Sequence, residues 1–154
     1  MSEDQHSAFE LGTDGPRVIV AGVDGSDSSW RAAAYAAGLA RRQGALLALV
    51  FVQPVVAGAA PGVGAAAAQA GQEVAADLER EIRDAAERVS PDFRVRWEFH
   101  TFPGDPYAGL VRAADDLRAD AVVIGASEKA GHRFLGSVAV RLVKAGRWPV
   151  TVVP

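Results

Sequence analysis

The sequence predicts a three-layer α/β fold, in which an open sheet of five parallel strands lies between helices on both faces. Short apolar runs alternate with longer amphipathic segments along the whole chain, in the order β-α-β-α-β-α-β-α-β. Capping and turn residues fall where one segment gives way to the next. Strict alternation of this kind predicts parallel strands joined by right-handed helical crossovers.

Residues 17–44 contain the first strand and helix. Residues 17–23 form a short apolar run typical of a buried strand. The polar residues 24–29 that follow include several side chains suited to capping a helix. Gly44 is typical of the end of that helix. Its predicted apolar stripe consists of Ala33, Ala36, Ala37 and Ala40.

The next part of the chain contains a strand, a low-complexity stretch and a helix. Residues 45–52 are continuously apolar, as expected for a strand covered on both faces. Residues 55–71 are rich in alanine and glycine, and this composition predicts either a mobile flap or disorder. A stripe at helical spacing then predicts the second helix. It consists of Val74, Leu78, Ile82, Ala85 and Val89.

The third strand is predicted at an edge of the sheet. Residues 94–101 alternate between apolar and polar side chains, which indicates that one face is wetter than the other. Gly104, Asp105 and Pro106 predict the start of a helix, with a capping aspartate and a proline in the first position. The buried stripe of this helix consists of Leu110, Val111, Ala114 and Leu117.

The last three elements follow residue 120. Residues 121–124 are an apolar run that stops at Gly125, and a charged loop comes next. Gly136 and Ser137 open a helix that ends near Gly146, and residues 148–153 form the last strand. Backbone N–H groups at the start of that helix could receive an anion, although an ordinary helix cap explains the same residues.

The predicted strand order is 3-2-1-4-5, and the predicted fold class is flavodoxin/Rossmann-like. In this order the first and fourth strands are neighbours, and the chain changes direction between them. Ligands of open α/β sheets bind at that point, beyond the carboxyl ends of the strands. Asp24 follows the first strand and Gly125 ends the fourth. The two loops are therefore expected to border one crevice.

Length and composition exclude several classes of protein. The 154 residues are enough for one domain, predicted at residues 17–154 after a flexible N-terminal tail at residues 1–16. The absence of cysteine excludes disulfides and thiolate metal sites, and the three histidines lack metal-ligand spacing. A net charge of −3 argues against nucleic-acid binding. No apolar run is long enough for a membrane span, so a cytoplasmic protein is expected.

The sequence does not predict a dedicated enzyme. It has no Gly-x-Ser-x-Gly nucleophile elbow, no Walker lysine loop and no Gly-x-Gly-x-x-Gly after the first strand. A response-regulator receiver would need a phospho-accepting aspartate after the third strand, where this chain continues Thr-Phe-Pro-Gly. No residue stands out as a general base for a hydrolytic reaction.

Six short motifs occur in an order known from one protein family. They are Gly22-Val-Asp-Gly-Ser26, Phe51-Val-Gln-Pro54, Gly104-Asp-Pro106, Val123-Ile-Gly125, Gly136-Ser-Val138 and the terminal Trp148-Pro-Val-Thr-Val-Val-Pro154. Over residues 17–154 the chain resembles the universal stress protein family. The resemblance implies a small cytoplasmic flavodoxin-like domain that responds to stress. It also implies a homodimer paired through the last strand, from Trp148 to Val153, whose apolar edge would otherwise be uncovered.

One branch of that family binds ATP through the motif Gly-x-x-Gly-x9-Gly-Ser/Thr. Gly125 and the pair Gly136-Ser137 match its two ends. Glu128 stands where the motif has its second glycine, and the loop is two residues shorter. A side chain there blocks close approach of the backbone to phosphate, and a carboxylate repels it. If ATP binds, Mg²⁺ would accompany it through the phosphates, and slow hydrolysis of ATP remains compatible with the sequence.

The resemblance carries nucleotide contacts over to matching positions, and the charged loop adds others. Asp24 would lie near the ribose, and Phe51 against the adenine. Gly131 could supply flexibility from a shifted position, and the loop cations could compensate for Glu128. The complete set of predicted nucleotide-binding residues is Asp24, Phe51, Gly125, Lys129, Gly131, Arg133, Gly136, Ser137 and Val138.

Each of these residues also has a simpler interpretation. Asp24 could only form a turn, Phe51 could belong to the core, and Ser137 could only cap its helix. Lys129, His132 and Arg133 could be a solvated loop instead of an anion-binding rim. The leading hypothesis is a homodimeric stress-response module that responds to ATP. The alternative is an ATP-independent dimer that acts through protein partners, and a weaker third idea is a small-molecule carrier with residues 55–71 as its lid.

Overall fold

A computed structural model describes residues 15–55, 58, 60–127 and 135–154. Its strands are β1 (Val18–Gly22), β2 (Leu46–Gln53), β3 (Trp97–Pro103), β4 (Ala121–Gly125) and β5 (Val150–Val153). Its helices are α1 (Asp27–Gln43), α2 (Pro61–Arg88), α3 (Pro106–Asp116) and α4 (Ser137–Ala145), with a 3₁₀ turn at Pro91–Phe93. Residues 1–14 of the predicted tail lie outside this description.

The described strands form one sheet in the order β3-β2-β1-β4-β5. All four pairings are parallel, with Ile19 level with Leu47 on one side and with Ala121 on the other. The predicted fold class and strand order are therefore confirmed. β3 lies at one edge, as its alternating pattern predicts, and β5 lies at the other.

Two apolar clusters pack against opposite faces of the sheet. One joins β1 and β2 to α1 and α2, and includes the buried Ile19, Leu49 and Leu78. The other joins the sheet to α3 and α4 through side chains such as Leu110 and Leu142. Because successive residues of a strand point to opposite faces, the continuous apolar run of β2 supplies both clusters.

Helix ends follow the capping residues seen in the sequence. Asp105 accepts hydrogen bonds from the N–H groups of Tyr107 and Ala108, at 3.1 and 3.2 Å, and Pro106 takes the first helical position. Gly44 and Gly146 end α1 and α4 in the left-handed conformation, with φ of 65° and 64°. An L side chain is disfavoured in that conformation, so glycine suits both positions.

The prediction of a flap or disorder at residues 55–71 is wrong from Pro61 onwards. α2 begins there, with proline at its first turn, because alanine favours helix strongly enough to outweigh the interspersed glycines. The Gln53 side chain at the end of β2 donates to the Ala68 carbonyl at 3.0 Å and holds this end of the helix against the sheet. The carrier hypothesis thereby loses most of its lid.

The predicted stripe of α2 is correct only at its centre. Leu78 and Ile82 are buried, and Ala75 is buried beside them. Val74 and Val89, in contrast, are 44% and 38% exposed, and Ala85 is also exposed. The buried face of the helix is therefore rotated relative to the predicted stripe. Ala85 and Val89 border a groove beside α1 instead of packing into the core.

Candidate functional site

The two loops predicted to form a site leave the sheet at the same edge. β1 and β4 are parallel neighbours, so their carboxyl ends lie at the same edge of the sheet, and the loop that follows each strand starts there. The Val23 N–H donates to the Val50 carbonyl at 2.9 Å, and the Ala126 N–H donates to the Val153 carbonyl at 2.7 Å. α1 then packs on one face of the sheet and α4 on the other, so this edge is the topological switch point.

Asp24 occupies a tight polar turn at this edge. Its Oδ1 accepts a hydrogen bond from the Ser26 N–H at 2.9 Å, and its own N–H donates to the Ser29 hydroxyl at 3.2 Å. The Ser26 hydroxyl in turn accepts from the Ser29 N–H at 3.3 Å and caps α1. The turn therefore holds the exposed Asp24 carboxylate in one orientation at the start of α1.

The environment of Asp24 favours its ionised form. Partial burial raises the pKa of this carboxyl, but hydrogen bonds from Ser26 and neighbouring groups outweigh the burial, so the net pKa lies below its ordinary value. Asp24 is therefore a carboxylate at neutral pH, and a carboxylate accepts hydrogen bonds but donates none. A ligand group that meets it must supply a donor, such as a sugar hydroxyl.

The lowered pKa predicts a pH-dependent contribution to stability. Because the folded pKa is below the unfolded value of about 3.9, the contribution is complete above that value and is lost as the pH falls through the folded pKa. The free energy of unfolding of the wild type, minus that of Asp24→Asn, should stay constant from about pH 8 to 5 and then shrink. Urea unfolding at stepped pH measures it. Asp24→Glu keeps a carboxylate but moves it, so the difference between the wild type and this variant should change less with pH. A difference between the wild type and Asp24→Asn that stays constant down to pH 3 would contradict the prediction.

Gly125 is in close contact with the first turn of α1. A Cβ atom at this position would lie 2.6 Å from both the carbonyl carbon and oxygen of Ser28, and 2.8 Å from the Ser29 nitrogen. Real Cβ atoms do not approach backbone so closely, so only glycine lets β4 end beneath α1. This packing explains the glycine without any ligand, and it also joins the Asp24 turn rigidly to the end of β4.

The start of α4 completes the described part of the site. Gly136 is its N-cap residue and provides no side-chain cap, and Ser137 is exposed. A Cβ atom at Gly136 would lie 2.8 Å from the Ser127 Cβ, so the two described ends of the charged loop are close together. Val138 packs partly against the cluster of α3 and α4. Ser127 was not among the predicted site residues. Its only signal in the sequence is its position two residues after Gly125.

The structure does not bring all the predicted residues together. Phe51 is only 6% exposed and belongs to the cluster beneath α1 and α2, whereas Val138 packs on the opposite face of the sheet. Lys129, Gly131 and Arg133 lie outside the described residues, as do Glu128 and His132. The described residues thus unite Asp24, Gly125, Gly136 and Ser137 at one edge.

Both acidic and basic side chains lie near this edge. Asp27 follows the Asp24 turn, and Asp105 caps α3 at the end of β3. Arg141 lies 3.8 Å from the Asp105 carboxylate, and its guanidinium stacks 3.9 Å from the Tyr107 ring centroid.

Within the described ranges, no group of three or more histidine, aspartate or glutamate side chains could hold a metal ion. No helix in these ranges is long and apolar enough to cross a membrane.

Comparison with known proteins gives consistent matches over nearly the whole chain. A family model described as the universal stress protein family matches residues 16–154. The chain is 31% identical to universal stress protein MJ0531 of Methanocaldococcus jannaschii over 140 residues, which cover 88% of this chain and 80% of that protein.

Solved structures of the same family share the fold. The universal stress protein UspA from Lactobacillus plantarum superposes with a TM-score of 0.78 at 23% identity, over 90% of this chain and 97% of that one. A universal stress protein solved in complex with cAMP gives a TM-score of 0.69 at 26% identity, again over 90% and 97%.

Proposed function

This chain belongs to the universal stress protein family, and we propose that it is a stress-response protein that works as a homodimeric, nucleotide-responsive binding module. One observation supports the proposal: the Asp24 turn and the start of α4 both lie at the edge of the sheet where the switch point is. The proposal includes no dedicated catalytic activity.

The chemistry of this edge fits the sugar and phosphate parts of a nucleotide. The Asp24 carboxylate is suited to accept a hydrogen bond from a ribose hydroxyl. The N–H groups at the start of α4 have no partners within the helix and lie at the positive end of its dipole, where a phosphate is favoured. The related protein solved with cAMP supports a ligand of this class. The buried Phe51 ring, in contrast, offers no exposed face for an adenine.

ATP is the nucleotide that the Gly125 and Gly136-Ser137 match favours, with Mg²⁺ bound through its phosphates. Isothermal titration calorimetry with Mg-ATP, and separately with cAMP, tests the site. Asp24→Ala should weaken binding about 10- to 100-fold, because it removes a hydrogen bond to a charged group. Asp27→Ala removes a nearby carboxylate outside the turn and should leave the affinity almost unchanged. Absence of heat at millimolar nucleotide would defeat the nucleotide part of the proposal.

The second candidate is an ATP-independent dimer that acts through protein partners. It is favoured by the contact of Gly125 with the Ser28 backbone, which accounts for that glycine by packing alone. The short loop with Glu128 points the same way. Mass spectrometry of the protein freshly purified without added ligand separates the two, since copurified nucleotide would eliminate this candidate.

Dimerisation is common to both candidates and is proposed at β5. This strand is at an edge of the sheet, its four residues are only half-buried, and β4 covers one side of it. The Arg31 side chain donates to the Pro154 carbonyl at 2.7 Å and so holds the end of the strand in place. Pairing of two such edges across a two-fold axis would cover both. A monomer in sedimentation at micromolar concentration would contradict this arrangement.

A further inference from the structure

An apolar groove of about 810 Å³ lies between α1 and α2, away from the switch point. The buried side chains of Leu47 and Leu49 line it from β2, and the buried Ile82 lines it from α2. Trp30 and Trp97 are also among the residues that line it. None of the predicted nucleotide-binding residues that the structure describes lines this groove.

The groove exists because the facing sides of the two helices carry short side chains. Ala34 and Ala37 of α1 are opposite Ala85 and Ala86 of α2, and methyl groups cannot fill the space above the sheet. Larger apolar side chains at the rim therefore remain exposed to solvent. Phe93, for example, is 55% exposed. Apolar surface gathered in one concavity is typical of a ligand site, and pockets for small ligands measure about 300–1,000 Å³.

Arginine side chains lie at one end of the groove. Arg94 is exposed where the groove adjoins the start of β3. It makes no ion pair with another residue in the described parts of the chain. The Arg41 guanidinium lies 4.8 Å from the centroid of the Phe93 ring and adds positive charge beside it. Arg83 is paired with Glu79 at 3.0 Å, and Glu87 is the acidic side chain in the lining. Asp92 adjoins Phe93 in the 3₁₀ turn, and neither Asp92 nor Glu87 is ion-paired with Arg94. The Arg94 guanidinium is therefore available to a ligand in the groove.

We propose that this groove binds an amphipathic monocarboxylic acid, with its apolar body against the leucine, isoleucine and tryptophan side chains and its carboxylate at Arg94. A guanidinium and a carboxylate form paired hydrogen bonds, which fix the orientation of such a ligand. A nucleotide polyphosphate would leave the apolar lining unused. A neutral hydrocarbon would leave the arginine end unused. This site is independent of the proposed nucleotide site.

Titration with decanoate, a ten-carbon carboxylate, tests the proposal below its micelle concentration. Trp148→Phe serves as the background protein, so that the remaining tryptophans are the two that line the groove. Saturable change in their fluorescence is expected. Decanol, which has the same chain without the charge, should bind about threefold to tenfold more weakly. No saturable signal, or equal affinity for both compounds, would overturn the proposal.

Two variants with matched controls locate the binding. Ala34→Phe fills the groove from an exposed position and should abolish the decanoate signal, whereas Ala76→Phe, exposed on α2 outside the lining, should not. Arg94→Gln should weaken decanoate to the level of decanol and leave decanol unchanged. Circular dichroism confirms that each variant is folded. Unchanged decanoate binding in folded Ala34→Phe or in Arg94→Gln would overturn the proposed site.

Discussion

Replacement of Phe51 by alanine is expected to lower the free energy of unfolding by about 3–5 kcal/mol. The ring is 6% exposed and packs with Leu49, Val23 and their neighbours beneath α1 and α2. Removal of a buried aromatic ring loses its transfer free energy and leaves a cavity that the sheet and two helices cannot close. Urea unfolding followed by circular dichroism measures the change.

The same substitution at Phe93 provides the control. Phe93 is 55% exposed and its principal described contact is with the Arg41 guanidinium, so Phe93→Ala should cost at most about 1 kcal/mol. The comparison also separates the two interpretations of Phe51. If Phe51→Ala were nearly as stable as the wild type but bound Mg-ATP much more weakly, Phe51 would contact the ligand and the core assignment would be wrong.

Gly125→Ala is expected to destabilise the protein by about 1–3 kcal/mol or more, although it adds a single methyl group. The new Cβ would fall 2.6 Å from the Ser28 carbonyl carbon and oxygen. Both atoms belong to the backbone of the first turn of α1, which cannot rotate away as a side chain could. The helix must move or the end of β4 must bend, and either change displaces the Asp24 turn. Chemical denaturation gives the loss of stability.

Gly64→Ala is the matched control for that variant. Gly64 lies in α2, and a Cβ atom there would have no neighbour within 4 Å. Because alanine favours helix over glycine, this variant should be more stable than the wild type by up to about 1 kcal/mol. If Gly125→Ala were as stable as the wild type, the close contact between β4 and α1 would be absent in solution.

Local signals in the sequence were enough for the elements and their order. Asp105 and Pro106 mark the start of α3 because a side-chain cap and a fixed φ act on their immediate neighbours. Gly44 and Gly146 mark helix ends for the same reason. The alternating pattern of residues 94–101 predicted β3 at an edge, because one solvated face suits an edge strand, and the structure confirms that position.

The candidate site was predictable only in part. The topology alone places Asp24 and Gly125 at one edge, because parallel neighbours end on the same side of a sheet. The side on which Phe51 points depends on the register of β2 within the sheet, and a shift by one residue reverses it. The resemblance to a family could not reveal that Phe51 and Val138 pack on opposite faces.

By itself, the sequence determined the α/β class, the succession of the elements and the family, because alternation, caps and short motifs act over a few neighbouring residues. The strand order was predicted from the common arrangement of such sheets, and the structure confirmed it. Only the tertiary structure decided how the elements meet. It showed that Gly125 is needed beneath α1, that α2 begins at Pro61, and that facing alanines leave a groove over Leu47 and Leu49. These features depend on the space between elements distant in the chain, and no local pattern records that space.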